Sequence, residues 1–336
     1  MPIDGPPSRP AADGGGPVVP LAALPLVLGD AILIDGLLAA GAFVPSAGRR
    51  AAELLLGWLE QVTPGHQDAL GPGAGIASLV GGGALPARSV DRFLRAVEAL
   101  PLLVGDVPAL EPHLPQFRFG LCIDALYHLP PALAAIGRLR SDERLIARAG
   151  RLAMQMLARL RCPGGFAHWY DVGEDRNNQV PWSRGVGWAL LGVLDTAALV
   201  EDRHLSAELV QVAAELWAAL RDGAGPLGWG PLLGRPDLPP ENSVAAFVVA
   251  AAHHPVVVVP AQGPLYQLAV ERLISGIDEQ GVFRGVSADV LPRWDPGTYE
   301  RFQAEPSPWG QGVALRALAA LAGAAWAPGL LLPAAP

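Results

Sequence analysis

Helical patterns recur in pairs along this sequence, and hardly any strand pattern lies between them. Turns rich in Gly, Pro and Asp separate the patterns. The β-branched run 256–259 is closed by a proline on each side and is too short to found a sheet. The chain is therefore predicted to be all-α, with helices near 31–42, 47–61, 72–82, 87–101, 121–138, 142–160, 184–200, 204–221, 242–254, 261–277 and 308–325.

The segment 142–160 shows the helical pattern most clearly. Its apolar residues recur at steps of three and four, as on one face of a helix. Ser141 precedes it and is the predicted N-cap, and Pro163-Gly164-Gly165 follows its end.

Helices in hairpin pairs can form an open solenoid or a closed toroid. A solenoid shows a motif at fixed period, and none is visible here. Most of the unusual residues lie in four loops, and alternate connections gathered on one rim would place these loops around a common cavity. We predict a double ring of helices over 25–327, with a loosely attached arm at 1–24 and a tail at 328–336. The four loops are 105–120, 162–183, 222–241 and 282–307.

Composition excludes several classes of function. The 336 residues include no lysine, which rules out Schiff-base chemistry and a lysine-bearing phosphate loop. The net charge of −8, without basic runs, argues against nucleic acid and anionic membranes as partners. The two cysteines and the adjacent His253 and His254 match no metal motif, so neither a metal nor a cofactor is expected. Lacking a targeting signal, the protein is expected to be cytoplasmic, and its oligomeric state is left open.

Tryptophan is the informative aromatic residue. Six of nine lie in or beside the four loops: Trp169, Trp182, Trp188, Trp229, Trp294 and Trp309. Indole rings at a cavity mouth suit sugars, which have flat apolar faces and polar edges. The alternative is that large aromatic side chains fill the bases of loops.

The segment 165–188 is the densest in polar and aromatic residues. It holds His168, and it places Arg184 in the first turn of a predicted helix, where a positive charge opposes the helix dipole. A carboxylate partner, from a ligand or from the protein, would explain this arginine. An ordinary ion pair with Asp171 or Glu174 is the alternative.

The predicted helix 121–138 carries a second polar group. Asp124, Tyr127, His128 and Pro131 share one of its faces, and apolar residues cover the others. An aspartate among apolar neighbours is expected to have a raised pKa, so that it can deliver a proton near neutrality. A capping aspartate is the alternative, and the position of Asp124 inside the apolar pattern argues against it.

These motifs resemble those of the unsaturated glycuronyl and rhamnogalacturonyl hydrolases, glycoside hydrolase families 88 and 105. Asp124-Ala-Leu-Tyr-His-Leu-Pro-Pro131 is similar to the family's run around its catalytic aspartate, Asp-x-Leu-Tyr-Met-x-x-Pro. The other matches follow in the family's order: Gly165-Phe-Ala-His168-Trp-Tyr-Asp171, Pro181-Trp182-Ser-Arg184-Gly185-Val-Gly187-Trp188 and Glu241-Asn-Ser243. Val186 stands where the family has Asn, and Ala245 where it has a second Ser.

The resemblance implies an (α/α)6 six-hairpin barrel and a glycosidase without cofactor. The implied reaction removes a 4,5-unsaturated uronic acid from the non-reducing end of a lyase-generated oligosaccharide by hydrating its enol ether. Fragments of pectin or rhamnogalacturonan are the expected substrates. A divergent toroid that binds saccharides without turnover is the alternative. The roles implied are proton donor for Asp124, assisting carboxylate for Asp68, and substrate binding for His168, Arg184, Trp188, Trp182, Trp229 and Tyr127.

Overall fold

The computed structural model of the chain describes residues 31–61, 71, 73–109, 119–288, 291–301 and 304–324. The predicted arm at 1–24, the tail at 328–336 and Asp68 lie outside these residues. The helices are α1 (Ala31–Ala40), α2 (Pro45–Gln61), α3 (Gly73–Gly81), α4 (Arg88–Glu98), α5 (Ala125–Arg140), α6 (Glu143–Leu160), α7 (Ser183–Leu199), α8 (Arg203–Asp222), α9 (Asn242–Ala252), α10 (Pro264–Ser275), α11 (Gly297–Glu300) and α12 (Pro308–Leu321).

Six helices form a closed inner ring. Around the ring, α1, α3, α5, α7, α9 and α12 each pack on the next, and α12 packs back on α1. Five outer helices, α2, α4, α6, α8 and α10, each pack on the inner helix that precedes them in the chain. This arrangement is the predicted toroid of helical hairpins.

The distribution of apolar residues explains which helices are inner. All residues of α7 except Ala198 are buried, because the helix is apolar on every side. Outer helices such as α6 bury one face and expose the other. The inner helices also approach closely: a Cβ on Gly192 of α7 would lie 2.1 Å from the carbonyl oxygen of Leu126 in α5. Glycine at this position therefore lets two inner helices touch through their backbones.

Because every hairpin runs from an inner to an outer helix, the inner helices run in one direction and begin at one rim of the barrel. The long loops before them meet there. The backbone N–H of Ser183 donates to the carbonyl oxygen of Pro231 at 3.0 Å, which joins the loop before α7 to the loop before α9. We call this end the rim. The helices α5 and α7, which carry predicted site residues, begin there.

Short strands, which the sequence did not predict, shape the loops. They are β1 (Leu102–Val104), β2 (Val107–Pro108), β3 (Gly120–Cys122), β4 (Arg161–Cys162), β5 (Gly165–Phe166), β6 (Trp169–Asp171) and β7 (Arg176–Asn177). β3, β6 and β7 form an antiparallel sheet with β6 in the centre.

Two predicted helix starts are corrected. The N-cap of α6 is Asp142, whose side chain accepts the backbone N–H groups of Arg144 and Leu145 at 3.1 Å each. Ser141 instead ends α5 in a left-handed conformation. Residues 120–122 form β3, so α5 begins only at Ala125, and the prediction that Asp124 lies inside the helix is wrong. None of the helices in the described part of the chain combines the length and apolar character needed to cross a bilayer.

Candidate active site

The sheet of β3, β6 and β7 brings two predicted site residues together. Cys122 at the end of β3 pairs with Trp169 at the start of β6. The residue after Cys122 and the residue before Trp169 also meet, because the strands are antiparallel: the backbone N–H of Ile123 donates to the carbonyl oxygen of His168 at 3.0 Å. The sheet therefore places Asp124 beside His168, although the sequence separates them widely.

Asp124 occupies the N-cap position of α5, but its side chain makes no capping hydrogen bond. Its Oδ2 lies 3.6 Å from Sγ of Cys122. One ligand atom each of Cys122, Asp124 and His168 lies within 4.8 Å of the others. The carboxyl group thus belongs to a cluster with a thiol and an imidazole, and the capping role is not observed.

His168 is buried and hydrogen-bonded on one side. Its Nδ1 lies 2.7 Å from the hydroxyl of Tyr299 in α11. Its Nε2 is buried and has no hydrogen-bond partner among the described residues. Burial, together with the positive charge of Arg184, lowers the pKa of His168 to about 3, so the ring is neutral at pH 7.

Arg184 is 3% exposed, and groups of the protein surround its guanidinium. Nη1 donates to the hydroxyl of Ser287 at 2.8 Å and also to the Ser287 carbonyl oxygen, while Nη2 donates to the carbonyl oxygen of Ala288 at 2.9 Å. The nearest carboxylate recorded is Glu241, at 3.9 Å, so the alternative of an ion pair with Asp171 or Glu174 is wrong. The guanidinium therefore donates to oxygen atoms of the protein itself.

Glu241 holds this arrangement in place. Its carboxylate accepts the backbone N–H of Ser287 at 2.9 Å and the hydroxyls of Ser287 and Ser243. It also accepts the backbone N–H of Ser243 as the N-cap of α9. The loop before α12 is thereby fixed to the start of α9, and Arg184 is fixed to that loop.

The tryptophans predicted to bind substrate occupy three different environments. The ring of Trp182 lies 4.3 Å from the His168 ring and 4.6 Å from the Arg184 guanidinium. Its buried Nε1 has no partner among the described residues. Trp229 is 1% exposed and donates from Nε1 to the carbonyl oxygen of Leu220 in the outer helix α8 at 2.7 Å. That placement fits the alternative in which a tryptophan fills the base of a loop.

Trp188 and Tyr127 lie deeper in the barrel. Their ring centroids are 4.9 Å apart, in an edge-to-face arrangement. The Tyr127 hydroxyl donates to Oδ2 of Asp35 at 2.6 Å and accepts Nη1 of Arg316 at 3.1 Å. Its polar end is therefore turned away from the rim and already has two partners.

We call the buried polar group beneath the rim the interior network: Asp35, Tyr127, Asp195, His254 and Arg316. Arg316 donates to both carboxylate oxygens of Asp195, at 2.7 and 3.0 Å, and Nε2 of His254 lies 3.1 Å from Oδ1 of the same carboxylate. Burial favours the neutral form of Asp195, but these partners outweigh it and hold the pKa of Asp195 below its usual range. Burial raises the pKa of Asp35 to about 7.

Cys122, Asp124 and His168 are the described residues that offer a set of possible metal ligands. Thiolate, carboxylate and imidazole together suit zinc. Tyr299 occupies Nδ1 of His168, so a metal at this cluster would be held through Nε2, and the absence of a metal stays a prediction from the sequence. Asp68, the predicted assisting carboxylate, lies outside the described residues.

Tyr299 and Ser287 are functional residues that were not predicted from the sequence. Both lie in the loop 282–307, which stood out by its length, but no local pattern connects them to His168 or Arg184. The scarcity of tyrosine, four in the chain, was the one available signal for Tyr299.

No protein-family model matches the sequence, and no curated protein sequence matches it significantly. Solved structures do match the fold. A possible member of glycoside hydrolase family 105 from Klebsiella pneumoniae has 18% sequence identity and a TM-score of 0.76, and the match covers 88% of this chain and 81% of that chain. A family 105 glycoside hydrolase from C. acetobutylicum has 15% identity and a TM-score of 0.72, covering 89% and 94%.

An unsaturated glucuronyl hydrolase from Bacillus sp. GL1, responsible for the degradation of glycosaminoglycan, has 16% identity and a TM-score of 0.62, covering 85% of each chain. At sequence identities of 15–18%, this structural similarity establishes the fold alone. The chain is an (α/α)6 toroid of the architecture found in glycoside hydrolases of families 88 and 105.

Proposed function

We propose that this protein is a glycoside hydrolase that removes a 4,5-unsaturated uronic acid from the non-reducing end of lyase-generated oligosaccharides, with pectin or rhamnogalacturonan fragments as the first substrates to test. The observation that carries the proposal is the placement of Asp124. The Asp124 carboxyl does not cap the helix that it precedes, and it lies within 4.8 Å of a thiol and an imidazole, which is the kind of cluster from which a carboxyl can act as general acid and base.

In the proposed reaction the Asp124 carboxyl protonates C4 of the enol ether, and positive charge develops at C5. Water then adds at C5 and gives its proton to the Asp124 carboxylate. The product is a hemiketal, in which the bond from C5 to the ring oxygen breaks to leave a C5 ketone and a hydroxyl on C1. C1 is then a hemiacetal, which becomes an aldehyde as it releases the remaining sugar as an alcohol. Asp124 thus acts first as acid and then as base.

The binding roles follow from which donors lack a protein partner. Nε2 of His168 and Nε1 of Trp182 are buried beside each other's rings and have no partner among the described residues, so they are suited to oxygen atoms of a sugar. Arg184 contributes positive potential from behind Trp182. Trp188 is proposed to wall the lower part of the pocket, with Tyr127 holding its ring. We assign Trp229 to packing, and Asp68 stays a proposed assisting carboxylate.

The fold neighbours support the same class of reaction, since one of them is an unsaturated glucuronyl hydrolase and others are described as family 105 glycoside hydrolases. In this chain Asp124, His168 and Trp182 lie together at the rim, where the loops before the inner helices meet.

The test is hydrolysis of a panel of unsaturated disaccharides, pectic and glycosaminoglycan, followed by loss of the ultraviolet absorbance of the conjugated double bond. The matched control for each substrate is its saturated counterpart, which should not be cleaved. In ¹⁸O-labelled water, at times too short for the product's carbonyl groups to exchange oxygen with solvent, the label should enter the C5 ketone of the released uronate. In D₂O one deuterium should enter C4. Direct glycosidic displacement would instead place ¹⁸O at C1.

A panel that shows binding but no loss of absorbance with any member would contradict the proposal. That result would favour the alternative, a divergent toroid that binds saccharides without turnover.

A further inference from the structure

Tyr299, which no sequence motif singled out, contacts the candidate site directly. It lies in the one-turn helix α11 and is 2% exposed. Its hydroxyl is 2.7 Å from Nδ1 of His168, and the two rings meet edge to face with centroids 5.5 Å apart. A buried hydroxyl that hydrogen-bonds one nitrogen of a neutral buried imidazole decides which of the two ring nitrogens carries the proton.

Two N–H groups already point at the Tyr299 oxygen. The backbone N–H of Arg293 donates to it at 3.1 Å, and Nδ2 of Asn178 donates at 3.4 Å. A phenolic oxygen accepts two such bonds and donates one. Its own proton is therefore left for the nearest remaining acceptor, Nδ1 of His168.

The orientation of the Asn178 amide is itself fixed. Its Oδ1 accepts the backbone N–H groups of Trp169 and Val180, each at 3.3 Å. Its Nδ2 donates to the carbonyl oxygen of Arg293 at 2.7 Å. A flipped amide would set donors against donors at the first two contacts, so Nδ2 faces Tyr299.

We propose that Tyr299 is a positioning residue that fixes His168 as the Nε2–H tautomer, so that His168 presents a single N–H donor to an acceptor oxygen of the substrate beside Asp124. The neutral ring cannot compete with Asp124 as proton donor. The substrate atom that fits is a carboxylate or hydroxyl oxygen of the uronate. This inference deepens the proposed function and rests on it for the identity of the substrate, but the tautomer is a property of the protein alone.

The first measurement is therefore independent of activity. Protein labelled with ¹⁵N-histidine is studied at neutral pH by long-range ¹H–¹⁵N correlation, in which protonated and unprotonated ring nitrogens differ in shift, and His168 is assigned by its loss in His168→Gln. The wild type should show an unprotonated Nδ1 and a protonated Nε2. In Tyr299→Phe the ring should change to the Nδ1–H form or to a mixture of the two tautomers.

Tyr266→Phe is the matched control. The Tyr266 hydroxyl lies 2.8 Å from Nε2 of His253, in an equivalent tyrosine–histidine pair. Each variant loses one such bond, but only Tyr299→Phe should alter His168. With an unsaturated uronide as substrate, Tyr299→Phe should lower kcat about tenfold to hundredfold, by analogy with the loss of the residue that orients a metal-binding histidine, while changing KM less than about threefold. Tyr266→Phe should leave both constants unchanged.

A protonated Nδ1 on His168 in the wild type would overturn the inference, as would a Tyr299→Phe variant that keeps both the wild-type tautomer and the wild-type kcat. If the tautomer changes as expected but the wild type hydrolyses no unsaturated uronide, the proposed function fails and the role of Tyr299 in setting the tautomer stands.

Discussion

The rim site and the interior network both bury polar side chains, but they differ in how their donors are used. At the rim, Nε2 of His168 and Nε1 of Trp182 have no acceptor among the described residues. In the interior network, Tyr127 donates to Asp35, and Arg316 and His254 donate to Asp195. A buried donor without an acceptor costs about 1–3 kcal/mol, so its presence points to a ligand, whereas satisfied donors point to structure.

This difference implies that the rim site serves catalysis and that the interior network serves stability. Substitutions at the rim should change turnover and leave the free energy of unfolding nearly unchanged. Substitutions in the interior network should do the reverse.

The largest expected effect is a difference in turnover between variants of two aspartates, Asp124 and Asp142, which both occupy N-cap positions. Asp124→Ala should lower kcat on an unsaturated uronide by about 10²–10⁴-fold, because it removes the proposed general acid and base. Its free energy of unfolding should fall less than that of Asp142→Ala, since no capping bond is lost. Asp142→Ala should keep kcat and lose about 1 kcal/mol, because that side chain does cap α6. Ultraviolet assays and urea unfolding measure both quantities. If Asp124→Ala instead lost stability and kept turnover, Asp124 would be a cap.

The next effect is the cost of breaking the interior ion pair. Arg316→Met leaves the buried Asp195 carboxylate without its main partner, which should lower the free energy of unfolding by about 3–5 kcal/mol. Arg221→Met, which removes an exposed pair with Asp222, is the control and should cause no measurable change. Both are measured by urea unfolding at neutral pH. Equal effects in the two variants would mean that the interior pair does not stabilise the barrel.

A smaller expected effect is a dependence of the free energy of unfolding on pH, caused by the titration of Asp35. The pKa of Asp35 is about 7 in the folded protein and near 3.8 in the unfolded chain. Between these values the folded protein holds a proton that the unfolded chain has lost, so stability falls as pH rises from about 4 to 7 and is level above that. Asp35→Asn removes the titration. The stability of the wild type relative to this variant should therefore decline across that window, by a few kcal/mol at most. A difference that does not vary with pH would show that Asp35 does not titrate there.

Most of the fold could be predicted from the sequence because it depends on local periodicity. The segment that forms α7 is apolar on every side and the one that forms α6 on one side only, and this contrast distinguishes inner from outer helices before any contact is known. The errors occurred where a tertiary contact overrides the local pattern. Residues 120–122 continue an apolar helical pattern, yet they form β3 because β6 pairs with them.

The site could be predicted less completely. Asp124, His168, Trp182 and Arg184 stood out by residue type and by motif. Tyr299 and Ser287 did not stand out, because they reach the site from another loop. Glu241 belonged to a matched motif, but no local pattern connected it to Arg184. Charge patterns near Arg184 suggested Asp171 or Glu174 as its partner, and only the closed ring shows that Glu241 at the start of α9 is nearer.

Tyr127 is the residue that tests whether the rim site and the interior network are separate. Its ring contacts Trp188, while its hydroxyl belongs to the interior network. Tyr127→Phe keeps the ring and removes the hydroxyl. We expect a loss of about 1–2 kcal/mol in the free energy of unfolding and less than a twofold change in kcat and KM. Because the lost hydrogen bond lowers the pKa of Asp35 in the wild type, that pKa should rise in the variant. A tenfold loss of kcat without the loss of stability would mean that the hydroxyl serves the substrate, as the sequence resemblance implies, and that the two regions form one site.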